Sequence, residues 1–76
     1  MSLNFEQKDL LKKLDSGWVC RHLYEEAVSV LCVRVEGDYI KDREDFSIHD
    51  VRKLIKLGLV QMDDEGWVTQ SQLRLF

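Results

Sequence analysis

Between Phe46 and Gln70 the apolar positions change period once, and that change divides the segment into a helix and a hairpin. Ile48, Val51, Leu54, Ile55 and Leu57 recur at the spacing of one helix face, while His49, Arg52, Lys53 and Lys56 fall on the other. Ser47 suits the N-cap, with Asp50 three positions on able to reach back to it, and Phe46 and Val51 occupy the positions of a hydrophobic staple. Gly58 suits the left-handed position after the last turn, where Leu54 and Leu59 could make the accompanying apolar contact. Beyond it the period shortens to two. Leu59-Val60-Gln61-Met62 and Trp67-Val68-Thr69-Gln70 read as strands, joined by the turn Asp63-Asp64-Glu65-Gly66.

The remainder of the chain would cover the apolar face of that unit. Residues 4–15 read as a first helix, with Asn4 as N-cap and Gln7 at the capping-box position. Leu10, Leu11 and Leu14 form its apolar edge, and Lys8, Lys12 and Lys13 are expected outside, with Asp9 and Lys13 at a supportive spacing. Residues 28–35 carry valine on alternate positions and are apolar on both faces, as an interior or interface strand would be. Residues 18–27 fit either a helix or a strand. Residues 36–46 read as a charged connector, with Tyr39 and Ile40 as candidates to tuck down. Leu73, Leu75 and Phe76 would close the core from a short terminal strand or tail. The shared Gly-Trp-Val at residues 17–19 and 66–68 is too short to mark a repeat.

Composition narrows this picture. Seventy-six residues allow a single small globular domain over residues 1–76, and 45% hydrophobic with 33% charged residues excludes a disordered tail. A domain of this size buries about 60% of its unfolded surface, so its stability is a few kcal/mol. No apolar run approaches the roughly 20 residues needed to span a bilayer, which excludes a membrane partner, and the first residues lack the apolar core of a signal peptide. A cytoplasmic protein is expected, and with it two free thiols at Cys20 and Cys32.

The helix ending Leu54-Ile55-Lys56-Leu57-Gly58-Leu59-Val60, followed by a hairpin, resembles the C-terminal half of a winged helix-turn-helix domain over residues 47–70. The resemblance implies a DNA-binding regulator whose recognition helix presents His49, Arg52, Lys53 and Lys56 to the duplex. It departs from that pattern before Ser47, where a second helix should lie, because residues 36–46 are a poor helix candidate. Charge also qualifies it. Residues 47–60 carry a net +2, but residues 36–46 carry −3, and Asp63, Asp64 and Glu65 add three acids where a wing would present cations. A solvated outer face is the ordinary reading of such a helix.

Other chemistry is thin. Cys20, His22, Cys32 and His49 include the residue types of a zinc site, but their spacing matches no common one, so no metal is expected. No glycine-rich phosphate loop or cofactor motif is present, so neither an enzyme nor a cofactor is expected. Trp18, Trp67 and Tyr24 are core candidates; if left exposed, Trp67 beside Asp63 and Asp64 would anchor a protein partner.

The fold expected is α+β, with two or three helices packed on a small, mainly antiparallel sheet and a winged-helix-like C-terminal half. The function expected is a small non-catalytic protein-interaction or regulatory module, through residues 28–35, the acidic turn or an exposed aromatic. Its partner would be another protein or a second copy of the chain. The alternative is a winged-helix-like DNA-binding transcriptional regulator.

Overall fold

A computed structural model describes residues 2–71. In chain order the elements are α1 (Phe5–Asp15), β1 (Val19–Arg21), β2 (Ser29–Glu36), β3 (Tyr39–Ser47), α2 (Ile48–Lys56), β4 (Val60–Met62) and β5 (Trp67–Gln70). The strands form one five-stranded sheet in the order β3-β2-β1-β5-β4, antiparallel at each pairing. The fold is therefore α+β, two helices on an antiparallel sheet. Among the described residues no helix is long and apolar enough to cross a membrane.

Both helices are set by their ends. The Asn4 side chain accepts from the Gln7 N–H at 2.8 Å, and the Gln7 side chain accepts from the Asn4 N–H at 3.0 Å, a complete capping box. At α2 the Ser47 hydroxyl accepts from the His49 N–H at 3.2 Å, and Phe46 and Val51 are both buried at the staple positions. Past α2 the Leu59 N–H donates to the Leu54 carbonyl at 3.0 Å and the Gly58 N–H to Ile55 at 2.9 Å, with Gly58 at φ 78°. That pair of bonds satisfies carbonyls the helix leaves open and turns the chain into β4. Asp50 does not reach back. Its carboxylate accepts instead from Asn4 Nδ2 and Gln7 Nε2, each at 3.2 Å, because the capping box of α1 leaves those two amides aimed at α2. The buried Gln7 side chain thereby joins the starts of both helices.

Pleat alternation divides the sheet into two unequal faces. Cys20, Val30, Cys32, Phe46, Val60 and Val68 point to the inner face and form one buried cluster with Leu10, Ile48, Val51 and Leu54 of the helices. Leu11, Leu14, Trp18, Ile55 and Met62 pack around it. α2 lies against β2, β3 and β4, and α1 against α2 and β5. Among the described residues the outer face carries no helix.

Four expectations need correction. Residues 36–46 are not a connector: β3 pairs with β2 from Ser29↔Ser47 to Glu36↔Tyr39, with a bulge at Arg34/Val35. The run of charged residues from Lys41 to Asp45 suits an edge strand that keeps only Phe46 inside. Tyr39 and Ile40 do not tuck down, being 61% and 59% exposed at the hairpin tip. Lys13 is not a solvated lysine. It folds over the inner face, 2.7 Å from Asp9 and 2.9 Å from Glu44, with its ammonium 5.0 Å from the Trp18 ring centre.

The fourth correction concerns the thiols. Cys20 and Cys32 lie directly opposite on β1 and β2, their Cα atoms 4.0 Å apart, and form a buried disulfide. Directly opposite positions on one face of an antiparallel pair bring two facing cysteines within bonding reach. The segment left open, 18–27, is β1 followed by an irregular loop. The terminal Leu73, Leu75 and Phe76 lie outside the described residues.

Candidate interaction surfaces

The open face of the sheet is built by the positions that alternate with the core. On β2 these are Ser29, Leu31, Val33 and Val35, and their cross-strand partners on β3 are Ser47, Asp45, Arg43 and Ile40. β1 adds Val19 and Arg21, and β5 adds Trp67, paired with Arg21. Val19 is 44%, Trp67 39% and Val35 54% exposed, large apolar side chains left in water on a face over which no described helix lies.

Trp67 is held rather than loose. The Arg21 guanidinium sits 4.8 Å from its ring centre, and Arg21 Nε donates to the Glu65 carbonyl at 2.9 Å. The ring is therefore held on the face by a cation–π contact while the residue stays 39% exposed. Arg43 and Asp45 stand two residues apart on β3, 3.8 Å from each other and both well exposed. At the end of the face near Leu31, the loop after β1 leans across. Leu23, Tyr24, Ala27, Ser29, Arg43 and Asp45 border a hollow of ≈ 160 Å³ there.

The acidic turn has structural work. Asp63 Oδ1 accepts from the Glu65 N–H at 2.9 Å and the Trp67 N–H at 3.0 Å, so its carboxylate closes the turn. Asp64 is exposed beside it. Gly66, at φ 89°, accepts at its carbonyl oxygen from the His22 N–H at 2.8 Å. A Cβ there would strike the His22 carbonyl, so the approach of β1 to the turn requires glycine. Of the three residues expected to bind a partner, Trp67 lies on the open face, Asp63 serves the turn, and Asp64 points to solvent.

His49, Arg52, Lys53 and Lys56 are all exposed on α2 and border one depression with Leu57. They lie on the helical layer, away from the open face. The residues weighed as metal ligands are not brought together. The cysteine sulfurs are bonded to each other, His22 Nε2 lies 2.8 Å from the Ala27 carbonyl oxygen, and His49 stands outside α2.

Sequence reasoning did not single out Val19, Arg21 or Arg43, and took Ile40 for a residue tucked into the core. The signal was present in the two-sided apolar character of residues 28–35, which calls for cover on both faces, while the two helices supply cover for one. Set against protein-family profiles, curated proteins and solved structures, the chain matches none.

Proposed function

We propose that this chain is a non-catalytic protein-interaction module that presents the open face of its sheet to a partner. The observation that carries the reading is the row Val35, Val33, Val19 and Trp67, continued by Leu31 under the loop after β1, on a face over which no described helix lies. An apolar row left in water stabilises the chain only when something removes it from water, at roughly 25 cal/mol per Å². Trp67 has the character of an interface anchor, a large ring held by Arg21 and left partly exposed.

The test is capture by wild-type bait and by Val19→Lys/Trp67→Ala bait, with Lys53→Ala/Lys56→Ala as a control on the helical layer. The face variant should lose a partner that the control keeps. Equal capture by all three baits would sink the reading.

A second reading has its own support. His49, Arg52, Lys53 and Lys56 make no ion pair among the described residues, and α2 leads into a β4–β5 hairpin that pairs with β1, as in a winged-helix-like DNA-binding regulator. Against it stand β3 in place of a preceding helix and the acids of the turn. Anisotropy of labelled duplex DNA at low and near-physiological salt decides it. Binding that falls steeply with salt, with a slope reduced by about one in each of Lys53→Ala and Lys56→Ala, supports the regulator; no binding at low salt removes it. Location enters here too. A cytoplasmic setting was expected together with free thiols, and the buried disulfide suits an oxidising one.

A further inference from the structure

We infer that the partner of the open face is a second copy of this chain, packed sheet against sheet about a two-fold axis. This inference rests on the reading of that face as an interaction surface. The argument for a like partner is that the face complements itself.

Take an axis lying between the two sheets, perpendicular to the strands, at the level where Glu44, Cys32, Cys20 and Val68 stand side by side. Rotation about it sets each β3 antiparallel over the other β3. Leu31 then meets Val33 of the second copy, and Arg43 meets its Asp45, each pair occurring twice, as a closed dimer requires. A face bearing one sign of charge would repel its copy. This one carries Arg43 and Asp45 at equal distances on either side of the axis.

Shape follows the same symmetry. Val35 and Ile40, cross-strand partners and both more than half exposed, form a knob three residues from Cys32, about 10 Å from the axis. Ser29 stands three residues from Cys32 on the other side, at the floor of the ≈ 160 Å³ hollow. The rotation brings the knob of each copy over the hollow of the other. Packed sheets cross at about 30°, which displaces the knob by about one strand spacing at that distance. The hollow is wide enough for this, being bordered from Arg21 on β1 to Asp45 on β3.

Area and edges agree. Two long and three short strands give a face of on the order of 600 Å² of accessible surface per copy, at the lower end of what stable interfaces bury. Pairing through the sheet edges is guarded instead, on β3 by Lys41, Asp42, Arg43, Glu44, Asp45 and the bulge, and on β4 by its length of three residues.

The experiment is sedimentation equilibrium of the full chain over a wide concentration range, with circular dichroism to verify folding of each variant. The wild type should show a reversible monomer–dimer equilibrium. Ile40→Asp, at an exposed position of the hairpin tip, should raise the dimer dissociation constant about tenfold or more by removing the apolar knob and desolvating a carboxylate in its place. Arg43→Asp should weaken the dimer, because it opposes two acids twice, and Arg43→Asp/Asp45→Arg should restore it. A dimer insensitive to Ile40→Asp and to the charge reversal would overturn this geometry. A wild type that stays monomeric overturns the inference. If face-dependent capture of another protein persists in that case, the interaction reading survives it, and if capture is also absent, both fail.

Discussion

Cutting the Cys20–Cys32 bond frees a segment of the chain without removing a core side chain. The two residues are separated by 12 positions, so in the unfolded state the bond holds closed a short loop that contains β1, the irregular segment after it and the start of β2. The chain-entropy relation for a loop of that length gives a loss of about 3 kcal/mol on reduction. In the folded state the two thiols would occupy the same buried space between β1 and β2 and pack as small apolar groups, so little native packing is lost. Against a total of a few kcal/mol for a domain of this size, about 3 kcal/mol is most of the stability. The melting temperature should fall by about 10–25 °C. The assay is a pair of urea titrations followed by Trp fluorescence, oxidised and reduced, with alkylation and mass measurement to verify the state of the sulfurs. The reduced form should also show a slightly larger m-value, since its unfolded chain is less restrained. Cys20→Ala/Cys32→Ala should behave like the reduced form. Equal midpoints for oxidised and reduced protein would refute the cross-link argument, and alkylation of both cysteines in folded, untreated protein would refute the bond itself.

Three further outcomes follow from the geometry. Gly66→Ala should cost about 2 kcal/mol or more, because its Cβ meets the His22 carbonyl, whereas Gly58→Ala, with the same sign of φ but open space, should cost about 1 kcal/mol. Similar losses at the two sites in urea titrations would show that the contact with His22 does not matter. Asp50→Ala removes the acceptor of Asn4 Nδ2 and of the buried Gln7 Nε2, and should cost about 1–3 kcal/mol, with faster amide exchange at the start of α1. An unchanged exchange rate there would show that the helix starts are not coupled. The hydrogen bond that Lys13 donates to the Asp9 carboxylate holds its pKa above the ordinary 10.5, against desolvation by burial and with further help from Glu44. A folded pKa above the unfolded one contributes stability that is complete below about 10.5 and is lost as pH rises through the folded value. Melts from pH 9 to 12 should therefore show an alkaline decline that Lys13→Met reduces; identical pH profiles would refute the assignment.

Local chemistry carries much of this fold. Asn4 with Gln7, Ser47, Phe46 with Val51, and Gly58 act within a few residues of themselves, so the start of both helices and the exit from α2 follow from sequence spacing. The β4–β5 turn follows in the same way from Asp63 through Gly66, whose side-chain and backbone requirements are local. The two-sided apolar character of residues 28–35 was also legible, and it correctly marks β2 as an interior strand between β3 and β1.

The tertiary structure decided what depends on residues distant in sequence. Residues 39–47 are a strand because β2 offers them a ladder, and their own composition, rich in acids and bases, carries no such signal. Cys20 and Cys32 meet because β1 and β2 register them as facing partners, and no spacing rule for two cysteines implies that pairing. Asp50 turns to α1 because Gln7 and Asn4 are already aimed at it by a cap built elsewhere. The candidate surface belongs to this class. Val19, Val35 and Trp67 are ordinary strand residues in the sequence, and they become a continuous open face only because both helices settle on the opposite side of the sheet. A helix covers the side its apolar stripe can reach, and which side is left bare is a property of packing, which sequence period alone does not contain.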